Sequence, residues 1–362
     1  MSRVAILGAG AGGAAATVEL TQKGHQVRLW NRSIAALQPF QDSGYVAYEG
    51  VLGSGRVVPE LISQNIEEVL EGVDGILVCM PTIAHGNIAQ MLARSGVSSM
   101  PVVLNPGHTG GALEFYSTYV RLGIKPPPVA EFSTLTYVAR KYRPDTVTIT
   151  GTAKQIGVAA MAGGDAAADI AQTWFEIASP VPDVIATSLS NVNLVLHPPC
   201  SVLGAAWVEA TNGDFTFYVE GMTEGVSQVM QQLDSERRAV GKAYGHDLPT
   251  LVDEMRLIGT VEEGNDLLGF ADKIRQGKAN QTIKAPDSLQ HRYYIEDFWY
   301  GLMPFIALAE AAQVPVPVAS SLMSIAIAMR DADEVPVGRT ADHMGIAGLN
   351  KAQILNLVRG KE

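Results

Sequence analysis

The strongest constraint on the fold lies at the N-terminus, where Gly8, Gly10 and Gly13 follow a short apolar run from Val4 to Leu7. A small-residue stretch and a second apolar segment, Gln26 to Trp30, come next. This order predicts strand, glycine turn, helix and strand, the βαβ unit of a Rossmann-type dinucleotide-binding domain. The glycines allow a tight turn, close approach to a pyrophosphate and close helix packing, so we predict that they bind a nicotinamide cofactor.

The end of the second strand selects between the two nicotinamide cofactors, because a carboxylate there bonds the ribose 2′-hydroxyl of NAD and repels a 2′-phosphate. This chain has Asn31, Arg32 and Ser33 instead. An amide, a guanidinium and a hydroxyl suit a phosphate, the guanidinium through bidentate hydrogen bonds. We predict a preference for NADPH. In the alternative, Arg32 only stacks on the adenine and NADH also serves.

Two further apolar runs continue the pattern of a parallel sheet. Gly75 to Cys79 ends at Met80 and Pro81, and Val102 to Leu104 ends at Asn105. The carboxyl ends of strands border the cofactor in a doubly wound sheet, so Met80, Pro81 and Asn105 are predicted to line the nicotinamide side. The alternative for Asn105 is an ordinary turn residue.

From about Asp183 the strands give way to long helical patterns, such as Gly221 to Tyr244 and Tyr300 to Ala312. We therefore predict two domains, an α/β Rossmann-type domain at residues 1–183 and an all-helical substrate domain at residues 184–362. Charged residues of the first long helix are predicted to form a solvated face, and the proline-rich segment Val314 to Val318 a rigid connection between helices. That charged set consists of Asp234, Glu236, Arg237 and Arg238.

Composition limits the partners and the compartment. A formal charge of -11 repels polyanions, so nucleic acid is not an expected partner. Only Cys79 and Cys200 are present, which indicates a reducing compartment, and we predict a cytoplasmic protein. No apolar window is long enough to predict a membrane span, and no metal site is predicted. Apolar faces in the helical domain favour a homodimer.

Two segments of the second half carry residues suited to proton transfer. His197 follows an apolar helical stretch and precedes two prolines that are expected to interrupt the helix. The segment from His291 to Asp297 contains Arg292 and two tyrosines. A histidine backed by a carboxylate is a general acid/base pair, and an arginine in the same cleft binds a carboxylate. A buried structural histidine is the alternative for His197.

These segments resemble the opine dehydrogenases, the octopine and nopaline dehydrogenase family, with most similarity to the bacterial members. Besides the glycine turn, the resemblance rests on residues 104–115, 131–140, 190–198, 218–221 and 292–297. It implies that His197 and Asp297 are the catalytic pair and that Arg292 binds the substrate carboxylate. It also implies the activity, in which an amino acid condenses with a 2-oxo acid such as pyruvate and the imine is reduced to a secondary amine dicarboxylate.

Three other functions stay open at this point. One is an imine reductase or reductive aminase that acts on simpler amines. Another is a dehydrogenase of the 6-phosphogluconate or glycerol-3-phosphate type, although that class uses a catalytic lysine where this chain has Asn191, Asn193 and His197. The last is a sensor that binds NADPH without turnover.

Overall fold

The computed structural model describes residues 1–262, 264, 269–277, 280–331, 333 and 335–360 of the 362-residue chain. The chain divides into two compact units. Unit 1 comprises Met1–Gly107, Gly111–Thr187 and the segment from Leu357 onward, and unit 2 comprises His108–Gly110 and Ser188–Asn356. The boundary predicted from the sequence, after Asp183, lies just before this division.

Unit 1 contains every named strand of the described residues. The strands are β1 (Arg3–Leu7), β2 (Gln26–Trp30), β3 (Val46–Gly50), β4 (Gly55–Val57), β5 (Leu61–Ser63), β6 (Gly75–Val78), β7 (Val102–Leu104), β8 (Val129–Phe132), β9 (Tyr137–Arg143), β10 (Thr146–Thr152), β11 (Ile156–Ala160) and β12 (Ala178–Pro180). Eight of them form one sheet in the order β12-β11-β8-β7-β6-β1-β2-β5, in which only the β8–β11 pair is antiparallel. The central strands are fully buried, as expected for a parallel sheet covered on both faces.

The predicted α/β Rossmann-type domain is confirmed, and its four predicted strands match β1, β2, β6 and β7 to within one residue. A second sheet, in the order β4-β3-β10-β9, was not predicted. It packs on the first helix of the chain, where the Tyr137 hydroxyl donates to the Glu19 carboxylate at 2.6 Å. The glycine turn is therefore supported from two sheets.

The helices alternate with strands in unit 1 and are the main regular elements in the described residues of unit 2. They are α1 (Ala11–Gln22), α2 (Ile34–Ser43), α3 (Ile66–Leu70), α4 (His85–Arg94), α5 (Gly111–Arg121), α6 (Asp165–Trp174), α7 (Val184–Leu189), α8 (Asn193–Leu203), α9 (Ala205–Thr211), α10 (Glu224–Ala243), α11 (Leu251–Ile258), α12 (Phe270–Gln276), α13 (Met303–Ala311), α14 (Pro317–Ala328) and α15 (Lys351–Arg359). The predicted helical second domain is confirmed. Among the described residues, no helix combines the length and the apolar composition that a membrane span requires.

Helix α8 is the central element of unit 2. It packs against α10, α14 and two short turns, a 3-10 turn at Arg292–Tyr294 and a π turn at Phe298–Leu302. Its residues from Leu194 to Ser201 are all buried. This packing brings residues near position 197 against residues near position 297.

Two expectations for unit 2 are wrong in detail. Asp234 and Arg237 do not belong to a solvated face, because both are buried and their side chains pair at 2.7 Å. Arg237 also donates to the carbonyls of Leu189 and Pro249, so burial of this charge is offset by hydrogen bonds that join three segments. The proline-rich segment is a connection only as far as Val316, since Pro317 begins α14.

Candidate active site

The glycine turn has the close contacts that its spacing predicts. Gly8 has a φ of +122°, and a Cβ there would lie 2.3 Å from the Cys79 carbonyl oxygen. A Cβ on Gly13 would lie 1.7 Å from the Gly8 carbonyl oxygen, so α1 can approach β1 only with glycine at this position. A Cβ on Gly10, by contrast, would meet no atom within 4 Å. The space beside the N-terminus of α1 is open, which suits a pyrophosphate.

The three residues after β2 differ in exposure, since Asn31 is buried whereas Arg32 and Ser33 are exposed. Asn31 is buried: its Oδ1 accepts from the Ala9 amide at 3.1 Å, and its Nδ2 donates to the Ser33 carbonyl at 3.2 Å. Asn31 therefore ties the glycine turn to the end of β2. The side chains of Arg32 and Ser33 are exposed, and Ser33 does not cap α2 with its hydroxyl. Both remain accessible to a ligand.

Met80, Pro81 and Asn105 lie at the predicted edge of the sheet, because Leu7, Val78 and Leu104 occupy the same register in adjacent strands. Their exposure differs. Met80 is half-buried, and its sulfur lies 2.9 Å from the position of a Cβ on Gly8, while Pro81 is exposed. Asn105 is fully buried, and its amide bonds the Thr136 hydroxyl at 2.9 Å and the Thr136 amide at 3.3 Å.

Lys141 is a residue of this region that the sequence reasoning missed. Its Nζ lies 3.5 Å from the Ala9 carbonyl oxygen and 4.1 Å from the centre of the Phe40 ring. Burial lowers the pKa of Lys141, and the charge of Asp145 opposes this effect. The residue belongs to the second sheet, so no motif spacing connects it to the glycine turn. Together, the open turn, the exposed Arg32 and this amine can accommodate a phosphorylated dinucleotide.

In unit 2, His197 lies in the middle of α8 rather than at its end. Pro198 and Pro199 do not interrupt the helix, which continues to Leu203. The expectation that they interrupt the helix is wrong. Each proline removes one backbone donor, yet the helix is buried along this stretch, so tertiary packing outweighs the loss.

His197 and Asp297 form a buried pair, 100 residues apart in sequence. His197 Nδ1 lies 2.6 Å from Asp297 Oδ2, and the two side chains are each 3% exposed. Burial alone would raise the pKa of Asp297, but the charges and hydrogen bonds of His197 and His108 lower it to about 2. The carboxylate is therefore ionised at neutral pH, and because it can only accept a hydrogen bond it holds the imidazole in the tautomer with its hydrogen on Nδ1.

His108 also contacts this carboxylate, although the sequence analysis assigned it no role. Its Nε2 lies 3.5 Å from Asp297 Oδ1, and its Nδ1 donates to the Tyr300 carbonyl oxygen at 3.0 Å. His108 has a φ of +64°, in the left-handed region that is rare for residues other than glycine. The residue belongs to a three-residue segment, His108–Gly110, that groups with unit 2 although its neighbours in sequence belong to unit 1.

Arg292 lies one aromatic ring away from the histidine. The Tyr293 ring stacks on the His197 ring with centroids 3.7 Å apart, and the Arg292 guanidinium lies 5.5 Å from the centre of the Tyr293 ring. Arg292 is exposed, so its donors can reach a ligand. Burial raises the pKa of the neighbouring Glu296, and the charge of Arg292 opposes this rise.

This arrangement can donate and accept a proton next to a bound anion. The imidazole can supply a proton, the ionised Asp297 can set its tautomer, and the exposed guanidinium can offer a bidentate site to a carboxylate. The three side chains predicted to act together, His197, Asp297 and Arg292, are thus close to one another in unit 2.

The low pKa of Asp297 predicts an acid-dependent loss of stability. The pKa of Asp297 is about 2 in the folded protein and 3.8 in the reference state. The ionised carboxylate therefore stabilises the folded state fully at pH values above 3.8, and this stabilisation is lost as the pH falls through the folded pKa. We expect the free energy of unfolding to fall by up to about 2 kcal/mol between about pH 5 and pH 2 as this carboxylate is protonated. Urea unfolding across this range should show a weaker pH dependence for Asp297→Asn than for wild type.

The surface pair Asp214–Lys284 provides a control, since Asp214→Asn removes a carboxylate that is paired but exposed. Its variant should follow the wild-type pH dependence closely. Equal slopes for wild type and Asp297→Asn would contradict the assignment of an ionised, stabilising carboxylate.

Comparisons with known proteins agree with this division of the chain. Residues 4–104 match the family model for the ketopantoate reductase PanE/ApbA, and residues 180–330 match the model for the alpha-helical domain of NAD/NADP octopine/nopaline dehydrogenase. The opine dehydrogenase of Arthrobacter sp. (strain 1C) is 31% identical over 356 residues, which cover 98% of each chain.

Solved structures share the fold along the whole chain. Octopine dehydrogenase in complex with NADH and agmatine superposes with a TM-score of 0.78 at 19% identity, covering 100% of this chain and 99% of that one. Yersinopine dehydrogenase with NADP⁺ bound gives a TM-score of 0.70 at 13% identity, with 99% and 98% covered. The chain belongs to the opine dehydrogenase family, the NAD(P)-dependent oxidoreductases that act on a CH–NH bond.

Proposed function

We propose that this protein condenses an amino acid with a 2-oxo acid, pyruvate being the first candidate, and reduces the imine with NADPH. His197 is the proton donor, Asp297 orients it, and Arg292 binds the carboxylate of the 2-oxo acid. The observation that carries the proposal is the buried His197–Asp297 pair at 2.6 Å, one aromatic ring away from an exposed arginine.

The chemistry requires one proton at the carbinolamine and one fixed anion. Attack of the amine on the 2-oxo carbon gives a carbinolamine, whose hydroxyl leaves as water only if it receives a proton. His197 gives that proton because Asp297 stabilises its charged form. Arg292 holds the adjacent carboxylate and so fixes the carbon that is reduced. A bound nicotinamide supplies the hydride.

Cofactor binding is assigned to Gly8, Gly10 and Gly13, with Asn31 and Met80 shaping the turn and Pro81 at the adjoining strand end. The preference for NADPH rests on Arg32 and Ser33, which are both exposed. No acidic residue stands at positions 31–33, so none is there to repel a 2′-phosphate. Lys141 adds a second positive charge beside the turn. Among the related structures, octopine dehydrogenase was solved with NADH and yersinopine dehydrogenase with NADP⁺, so the family fold accommodates both cofactors.

Replacing Arg32 by alanine tests the cofactor proposal. A charge-assisted hydrogen bond contributes about 1.5–3 kcal/mol, so we expect kcat/KM for NADPH to fall by about 10- to 100-fold. The value for NADH should change by less than about threefold. Initial rates with each cofactor at saturating substrates measure both. The control is Arg143→Ala, which removes an exposed arginine of the same unit that pairs with Glu49. An equal loss for both cofactors would contradict a 2′-phosphate contact.

Cofactor oxidation with a substrate panel tests the activity itself. Purified protein is assayed with NADPH or NADH, pyruvate, and apolar, basic and acidic L-amino acids. Oxidation that needs both an amine and an oxo acid is the expected result. Oxidation that proceeds with simple amines in place of amino acids would indicate a reductive aminase. Oxidation with the oxo acid alone would indicate a hydroxy-acid dehydrogenase. Binding of NADPH with no turnover on any pair would overturn the proposal in favour of a sensor.

Two further properties are proposed from composition and surface. Exposed apolar side chains of unit 2 favour a homodimer; they include Leu203, Trp207, Ile325 and Ile327. Cys79 and Cys200 are buried and free, and a cytoplasmic location stays a prediction from the small number of cysteines.

A further inference from the structure

We infer that the hydroxyl of Tyr218 relays the proton between His197 and the reacting group, an inference that rests on the proposed function. The His197 ring has two nitrogens, and both are engaged in the structure. Nδ1 contacts Asp297 at 2.6 Å, and Nε2 contacts the Tyr218 hydroxyl oxygen at 2.7 Å. The path by which a proton leaves the imidazole therefore runs through this tyrosine.

The carboxylate determines which nitrogen can exchange a proton. An ionised carboxylate only accepts hydrogen bonds, so Nδ1 keeps its hydrogen whether His197 is neutral or charged. Nε2 alone changes between acceptor and donor during the reaction. A phenol hydroxyl can donate to the neutral ring and accept from the charged one, whereas a phenylalanine could do neither.

Burial makes Tyr218 a relay rather than a source of protons. The side chain is 6% exposed, and burial, with further contributions from Tyr293 and Asp297, raises its pKa well above the ordinary value. The phenol therefore keeps a hydrogen at neutral pH, and it can pass a proton on only when it receives another from His197.

Tyr293 fixes the geometry of this pair. Its ring stacks on the His197 ring at an interplanar angle of 18°, and its side chain contributes to the raised pKa of Tyr218. The ring of Phe217 closes a second side of the imidazole, with centroids 6.0 Å apart. Two aromatic rings therefore lie beside the imidazole, and the Tyr218 hydroxyl is the polar contact of Nε2 in the described structure.

The step that we assign to Tyr218 is the loss of water from the carbinolamine. The C–O bond breaks with its electron pair on oxygen, while the nitrogen lone pair forms the C=N bond. The departing hydroxyl takes the Tyr218 proton and leaves as water, and the Nε2 proton of His197 moves to the Tyr218 oxygen. His197 ends neutral, the iminium carries the positive charge, and Tyr218 is unchanged.

Two replacements of Tyr218 separate a relay from a packing role. Tyr218→Phe keeps the ring but removes the hydroxyl, and we expect kcat to fall by about 10- to 100-fold with the KM for the oxo acid little changed. Site-specific 3,5-difluorotyrosine keeps both ring and hydroxyl but acidifies the phenol. The alkaline limb of its kcat–pH profile should move to lower pH, an effect that packing alone does not produce. Tyr244→Phe is the matched control, since its buried hydroxyl donates to the Leu308 carbonyl within the same unit.

A measurement that needs no turnover tests the contact itself. With ¹⁵N-labelled histidine, the Nε2 resonance of His197, assigned with His197→Gln, should shift in Tyr218→Phe and stay in place in Tyr244→Phe. If the Nε2 resonance of His197 does not shift in Tyr218→Phe, the contact between His197 and Tyr218 is wrong. If Tyr218→Phe retains kcat within about twofold, or difluorotyrosine leaves the pH profile unchanged, the relay is wrong. Failure of the proposed function is seen separately, as wild-type protein without amine-dependent oxidation.

Discussion

Replacing His197 by glutamine should lower kcat by about 10²- to 10⁴-fold, the range in which a positioned acid or base contributes to catalysis. The expected loss falls on kcat rather than on KM, because the proton is needed at the carbinolamine and not for binding. Glutamine is chosen because its amide still offers a donor to Asp297. Alanine would remove the 2.6 Å partner of a buried carboxylate and leave it only the longer contact with His108, and breaking a buried pair in this way costs about 3–5 kcal/mol of stability.

Cofactor binding and a second histidine variant are the controls for this result. The variant should bind NADPH with an unchanged Kd, measured by fluorescence titration, since the glycine turn belongs to unit 1. His343→Gln changes a histidine of unit 2 that contacts the Thr340 hydroxyl, and it should turn over at the wild-type rate. If folded His197→Gln keeps near-normal turnover, His197 is not the proton donor.

Replacing Arg292 by methionine should lower kcat/KM for the 2-oxo acid by about 10²- to 10⁴-fold, since a bidentate pair makes two charge-assisted hydrogen bonds of about 1.5–3 kcal/mol each. Methionine keeps an unbranched side chain but removes the charge. The kcat/KM values from initial rates at varied oxo acid measure the loss. Arg292→Lys should recover only part of it, because an ammonium lacks the planar fork of the guanidinium.

Chemical rescue distinguishes a lost contact from a distorted site. Guanidinium ion at millimolar concentration should restore part of the activity of Arg292→Ala and none of that of His197→Gln. Arg238→Met provides the matched control, since Arg238 is an exposed arginine of the same unit that donates to the Leu248 carbonyl. An Arg292→Met variant with a wild-type KM for the oxo acid would assign its carboxylate to another residue.

The first half of the fold was predictable from local sequence because buried parallel strands are short continuous apolar runs. Val102–Leu104 and Gln26–Trp30 are of this kind, and the glycine spacing set their order. The second sheet was not predictable in this way. β9 contains Arg140, Lys141 and Arg143, so its sequence resembles that of a polar loop. One face of the strand is open to solvent, and its pairing with β10 has irregular register.

The site was predictable only where a family resemblance joined distant segments. Spacing shows that His197 and Asp297 are each suited to proton transfer, yet their contact spans 100 residues and depends on the packing of α8 against the turns at 292–302. His108 and Tyr218 lie in segments that carry the resemblance, but the sequence analysis assigned neither of them a role. A histidine in a loop and a tyrosine in an aromatic run are common, and only tertiary structure shows that one contacts Asp297 and the other His197.

The excursion of three residues, His108–Gly110, into unit 2 has a consequence for how such enzymes recombine. A chimera made with a single crossover near position 187 would inherit helix α8 from one parent and the histidine beside Asp297 from the other. Gene fusions that exchange unit 1 between parents should therefore take residues His108–Gly110 from the same parent as unit 2. Directed recombination libraries should be built with paired junctions on either side of it.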